Sequence, residues 1–257
     1  MQKAISTVLI TGASNGIGAA LAQRYAAPNV HLGLIGRDPL RMQHIADDCQ
    51  ARGASVEVGL LDVTDTASLQ AWIMDFDARH PVDLVIANAG ITNHLGKDNA
   101  GESAAHIRQL FDVNLHGAIN TIHPLIAPMR QRQQGQIALV SSLAAWRGMP
   151  VTPAYSASKA ALKSYGEALR GWLAPEGVKV NVICPGFVKS DLSDHFPGSR
   201  PFMLSAGQAA QRIQQGLAKN RAIIAFPFPL TIGMWFVSVL PFPIASFFLG
   251  LSGYNRA

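Results

Sequence analysis

At 257 residues, with 49% hydrophobic and 14% charged side chains, the chain carries enough apolar matter for an extensive core, which excludes a disordered segment. Its net charge of +5 comes from scattered lysines and arginines, apart from the short stretch Arg130-Gln131-Arg132, so nucleic acid is not an expected partner. Cys49 and Cys184 stand far apart with no His-x-x-x-His or Cys-x-x-Cys cluster beside them, which points away from disulfides and metal and towards a reducing, cytoplasmic setting.

The first apolar run, residues 5–10, reads as a buried strand; taken as a signal peptide it would be cleaved away from the fold. It empties into Thr11-Gly12-Ala13-Ser14-Asn15-Gly16-Ile17-Gly18. Gly12 permits a sharp turn and Gly16 lets backbone approach a ligand. Gly18 lets the following helix sit close to the sheet, so that amides at its N-terminus meet negative charge. The spacing G-x-x-x-G-x-G departs from G-x-G-x-x-G, and alone the turn is also compatible with a plain strand-to-helix connection.

Further β-branched runs at 30–35, 55–61, 82–87, 136–141, 179–183 and 222–226 bring the strands to seven. Helix-length segments lie between them at 16–27, 39–52, 64–79, 103–133, 153–174 and 205–219. This alternation predicts right-handed crossovers and an α/β, doubly wound parallel sheet within one domain over 1–226, followed by an apolar extension over 227–257 packed on it. Asp38-Pro39 reads as a helix cap followed by proline, Thr64 as a second cap, and Asn220 as a helix end.

Tyr155-Ser156-Ala157-Ser158-Lys159 puts a phenol and an amine four residues apart on one helical face. A tyrosine titrates at ~10 and is a poor proton shuttle at neutral pH unless a neighbouring cation lowers that value. Ser142 ends the fifth strand thirteen positions earlier, at the strand edge where open α/β sheets place ligands. Ser141 is its rival, and strand alternation lets only one of the two face the site.

Taken together, Thr11–Gly18, Asp62-Val63, Asn88-Ala89-Gly90, Asn114, Ser142, Tyr155/Lys159 and Pro185-Gly186 resemble the short-chain dehydrogenase/reductase family, in order and spacing, over about residues 5–226. The resemblance implies a Rossmann-type sheet and an oxidoreductase. In it Tyr155 is the acid/base, Ser142 orients the carbonyl, Lys159 binds the nicotinamide ribose and lowers the tyrosine pKa, and Asn114 supports a water-linked proton path. It further implies that Asp62 and Val63 meet the adenine and that Asn88, Ala89 and Gly90 flank the adenosine ribose. Pro185, Gly186 and Val188 would lie against the nicotinamide, with Ser190 where the family usually has threonine; Gly12, Ser14, Asn15, Gly16, Ile17 and Gly18 would cradle the phosphates.

The residue closing the second strand selects the cofactor. Gly36-Arg37 offers a guanidinium in place of a ribose-binding carboxylate, which favours NADP(H). Trp146, Met149, Leu192, Phe196, Phe202 and Met203 are expected to make an apolar substrate side, for a lipophilic ketone or alcohol, with Arg147 on the surface. From 222 to 255 there is no charged residue, yet eight of the nineteen aromatics fall there. Prolines at 227, 229, 241 and 243 divide that stretch, so two short helices are expected in place of a spanning one, serving as a lid, a homo-oligomer interface (dimer or tetramer) or a peripheral membrane contact. Against the carbonyl/alcohol oxidoreductase stand a nucleotide-sensing or membrane-associated scaffold without turnover, and enoyl reduction on a related site.

Overall fold

The computed structural model describes residues 5–93, 95, 101–194 and 200–251. Apolar runs and helical segments alternate as β1 (Thr7–Thr11), α1 (Gly16–Tyr25), β2 (His31–Gly36), α2 (Pro39–Ala51), β3 (Ser55–Leu60), α3 (Thr66–Arg79) and β4 (Leu84–Ala87). There follow α4 (Ala104–Phe111), α5 (Gly117–Gln131), β5 (Gly135–Val140), α6 (Pro153–Leu173), β6 (Val178–Pro185), α7 (Asp191–Asp194), α8 (Ala206–Ala218), β7 (Ile223–Phe226), α9 (Phe228–Val239) and α10 (Phe242–Leu251). The strands form one parallel sheet in the order β3-β2-β1-β4-β5-β6-β7, the Rossmann-type doubly wound arrangement.

Alternation along each strand divides the core into two layers. Val8 and Ile10 of β1 face one side, where Leu21 of α1, Met42 of α2 and Ile213 of α8 pack on them. Leu9 points the other way, into a cluster with Ile73 and Phe76 of α3, Leu125 of α5 and Leu162 of α6. A third, smaller cluster joins Leu143, Met149 and Cys184 to Met234 of α9 and Leu249 of α10, and through it the C-terminal helices rest on the sheet's β6 side.

Several helix boundaries follow from local chemistry. Asp38 caps α2 by accepting from the Arg41 amide at 3.1 Å, with Pro39 at the first helical position. Asn220, at φ 46°, turns the chain out of α8. Thr64 does not cap α3. Its amide and hydroxyl both donate to Asp62, and the cap is Asp65, which accepts from the Ser68 amide at 3.2 Å. The segment expected as one helix over 103–133 is divided: a single π-helical turn, Asp112–His116, sits between α4 and α5. Such a turn inserts one extra residue into the helical ladder and recurs at functional sites.

Candidate active site

Strand order reverses between β1 and β4, because the chain builds outward to β3 and then crosses back, and this opens a crevice at the C-terminal ends of the strands. A cavity of about 650 Å³ lies there. The residues directly following six strands all line it: Gly12, Arg37, Leu61, Asn88, Ser141 and Gly186.

The glycine turn has the geometry expected of it. Gly12 and Gly16 take φ of +65° and +55°, conformations that a side chain disfavours. A methyl on Gly12 would also lie 2.8 Å from the Ala89 Cα. One on Gly18 would collide with the Gly12 carbonyl oxygen and come within 2.6 Å of Asn88 Nδ2, so only glycine lets α1 approach this close. Asn15 caps α1 by accepting from the Gly16 amide at 2.6 Å. Ser14, Asn15, Gly16 and Ile17 line the cavity; Gly18 lies behind them, where it sets the packing.

At the end of β4, Asn88 Nδ2 donates to the carbonyls of Thr11 and Gly12 at 3.0 and 3.1 Å, tying β4 to the glycine turn. Thr11, which the sequence placed in the motif without a role, completes the tie: its hydroxyl accepts from the amides of Asn88 and Ala89. Asp62, Val63, Ala89 and Gly90 also line the cavity. Burial pushes the Asp62 carboxyl up, but the hydrogen bonds from Thr64 and the Arg37 guanidinium outweigh it and hold the group below its usual range. The Arg37–Asp62 ion pair, 2.9 Å, joins two residues that sequence reasoning had assigned to separate tasks. Close by, Arg41 bonds Asp191 at 2.6 Å, a further pairing invisible from spacing alone.

Four side chains gather where β5 meets α6. Ser142 and Tyr155 line the same cavity, and the Ser142 hydroxyl works to lower the phenol's pKa. Ser142 also accepts from the Ala144 amide at 3.1 Å, which fixes its direction. Ser141 is committed elsewhere, donating to the Lys159 carbonyl at 2.7 Å. Both serines line the cavity, and Ser142 is the one whose hydroxyl is not bonded to α6.

Lys159 is buried, and its Nζ donates to the Val140 carbonyl at 2.9 Å while lying 5.9 Å from the Tyr155 ring centre. Burial lowers its pKa to about 8. The expected lowering of the Tyr155 pKa by Lys159 is not met. Burial raises the phenol above its ordinary value, the Ser142 hydroxyl only partly offsets this, and the lysine, turned to Val140, takes no part.

Asn114 sits in the π-helical turn, fully buried. Its Oδ1 accepts from the Ile91 amide at 2.8 Å, and its Nδ2 donates to the Ile91 carbonyl and to Ser158 Oγ. Ser158 in turn donates to the Tyr155 carbonyl at 2.8 Å, a link no motif announced. A methyl on Gly90 would lie 3.2 Å from Asn114 Oδ1 and 3.3 Å from Lys159 Nζ, so this glycine leaves room for both groups. Pro185, Gly186, Val188 and Ser190 line the cavity, and a Cβ on Gly16 would sit 3.1 Å from that of Ser190.

The substrate side differs in part from expectation. Met149 and Leu192 line the cavity, whereas Phe202 and Met203 are exposed outside it and Trp146 packs into the third cluster. Phe196 lies outside the described residues. Leu230 and Met234 of α9, which the sequence offered only as part of an extension, take their place in the wall. Arg147 is not a free surface residue: it lies over the Phe242 ring at 5.6 Å and donates to the Leu240 carbonyl.

Residues 6–198 match the family model described as short chain dehydrogenase. The chain belongs to the short chain dehydrogenase family. It is a nucleotide-binding oxidoreductase of that family, with the family's single-domain Rossmann-type fold. An uncharacterized oxidoreductase of Myxococcus xanthus is 38% identical over 242 residues, covering 93% of this chain and 94% of that one. The ketoacyl reductase HetN of Nostoc is 33% identical over 183 residues, 71% of this chain and 63% of the relative. Among solved structures, a short-chain dehydrogenase from Sphingobium yanoikuyae in complex with NADPH superposes with a TM-score of 0.80 at 24% identity, over 87% of this chain and 89% of that one, a likeness of fold.

Proposed function

We propose that this dehydrogenase interconverts a carbonyl and an alcohol using NADP(H), with Tyr155 as acid/base. The observation that carries the reading is that Ser142, Tyr155 and Lys159 line the same cavity as the glycine turn. The residues present fit a dinucleotide: a positive-φ glycine pair at the start of α1 for the pyrophosphate, and Arg37 at the end of β2 for a 2′-phosphate.

When bound, the reduced nicotinamide supplies a hydride to the carbonyl carbon. Ser142 donates a hydrogen bond to the carbonyl oxygen, and Tyr155 gives that oxygen a proton as charge grows on it. A phenol pushed upward by burial keeps its proton at neutral pH, which suits the reducing direction. Lys159 holds the ribose and replenishes the tyrosine proton. Asn114 steadies the Ile91 backbone beside that amine, and so supports the path by which the proton arrives. The sensor reading has no use for a serine and a tyrosine set together in the cavity. Leu143, Met149, Phe187, Leu192, Leu230 and Met234 support an apolar substrate.

Preference for NADPH rests on Arg37, which must exchange Asp62 for the phosphate, one ionic partner for another. A charge-assisted contact of this kind contributes about 1.5–3 kcal/mol. Arg37→Ala is therefore expected to weaken NADPH binding at least about tenfold while NADH affinity changes little. The test is a panel of ketones and alcohols followed by nicotinamide absorbance with each cofactor, run on both proteins. Reduction of apolar ketones with NADPH supports the reading, and equal losses for the two cofactors in Arg37→Ala would refute the assignment of that residue.

A further inference from the structure

The C-terminal helices carry an apolar surface that the chemistry above does not use. Both begin with Pro-Phe-Pro, at Pro227-Phe228-Pro229 and Pro241-Phe242-Pro243, and the phenylalanines of the two motifs stand 72% and 74% exposed. Trp235, Phe236, Phe247 and Phe248 extend the same exposed set. A helix apolar on every side belongs in a core or in lipid, yet only part of α9 and α10 is covered, through Met234, Ala245 and Leu249.

We propose that this face is a docking surface for a lipid bilayer, in which α9 and α10 lie shallowly among the acyl chains. Three observations select lipid over a protein partner. No charged residue occurs from 222 to 255, while the chain as a whole carries +5, so an uncharged face meets hydrocarbon and a basic protein meets anionic headgroups. The hydroxyls of Thr231 and Ser238 are turned back onto the carbonyls of Pro227 and Trp235, at 3.0 and 2.7 Å, and Ser246 is also engaged. Protein interfaces carry about one hydrogen bond per 100–200 Å², and the donors of Thr231 and Ser238 are already committed within α9.

The backbone shows the same economy. The first intrahelical bonds run from Thr231 to Pro227 and from Ala245 to Pro241, leaving three positions ahead of each without a helical acceptor. One of each three is proline, which has no N–H to strand in hydrocarbon. Arg147, stacked on Phe242, places a cation at the border of the face, at the level where headgroups would lie. With 12 and 10 residues, α9 and α10 are about 18 and 15 Å long, too short for a hydrocarbon core of about 30 Å. They therefore lie on the membrane without crossing it.

The proposal does not depend on the reduction proposed above, although α9 also walls the cavity through Leu230 and Met234. Its test is flotation of the full-length protein with vesicles of equimolar phosphatidylethanolamine and phosphatidylglycerol. The comparison is the triple variant Trp235→Gln, Phe242→Gln, Phe247→Gln, with NADPH binding and turnover of a water-soluble ketone as separate readouts of folding. The native protein is expected to float with the vesicles, and the variant to lose at least about tenfold of that partitioning while still binding NADPH. Native protein that binds NADPH but stays below the vesicles would overturn the proposal. So would a native dimer in sedimentation that the triple variant abolishes, with neither protein floating.

Discussion

Lys159 and Tyr155 are pushed in opposite directions by the same cause, removal from water, and each is pushed towards its neutral form. The lysine is charged below about pH 8 and neutral above it, while the phenol stays protonated over that range. Carbonyl reduction needs the proton of both groups, so kcat/KM for reduction is expected to hold level up to about pH 8 and fall beyond it. Alcohol oxidation needs the phenol to give up its proton and is expected to rise with pH. Initial rates in both directions across the neutral and alkaline range check this; a reduction rate climbing through pH 8 would contradict it. At this scale the residue types were legible, because Tyr155, Lys159, Ser142 and Asn114 stand at telling intervals. Their partners were not. That Lys159 turns to the Val140 carbonyl, or that Arg37 pairs with Asp62, depends on which backbone groups the fold leaves unpaired nearby, and spacing carries no information about that.

Among the elements, the junction of β1 and α1 shows how close approach substitutes for side-chain chemistry. Gly18 is outside the cavity, yet a single methyl there would press on the Gly12 carbonyl and on Asn88, which together fix the shape of the turn. Overpacking of this sort costs about 1–3 kcal/mol. Gly18→Ala is expected to lower the midpoint of thermal unfolding and to weaken NADPH binding together, since the same contact serves both; loss of binding with unchanged stability would show that the two are separable. Elements with punctuation, such as Asp38-Pro39 before α2 or Asn220 after α8, were readable from the chain. The π-helical turn at Asn114 was not. Its one-residue insertion leaves the apolar period nearly intact, and what sustains it is the tertiary bonding of Asn114 to Ile91 and Ser158. The capping of α3 by Asp65 was misread for a related reason, since Thr64 is claimed by Asp62.

The molecule as a whole divides its labour between the two edges of the sheet. The C-terminal edge holds the cavity, while at the N-terminal edge the Asp83 carboxylate ties strands together without touching it. Asp83 Oδ2 accepts from the Ser6 and Thr7 amides at 2.9 and 3.1 Å, and Oδ1 accepts from Gln134 at 3.0 Å, joining the ends of β1, β4 and β5. Asp83→Ala strips a charged acceptor from these amides and is expected to cost about 2 kcal/mol in denaturant unfolding, with kcat/KM unchanged. The doubly wound order was legible from the rhythm of strands and helices, as was the division of the apolar tail into two helices by its prolines. Where those helices settle, with Met234 on the third cluster and Leu230 in the cavity wall, was fixed by surfaces that exist only once the sheet has formed.

Central to the account is a proton held on one phenol beside a bound dinucleotide. Single-turnover mixing of NADPH-loaded Tyr155→Phe with an apolar ketone that the native protein reduces tests it most directly. The account predicts that the variant binds NADPH with near-native affinity and oxidises it at least a thousandfold more slowly, about 4 kcal/mol of barrier. Oxidation at the native rate would contradict it.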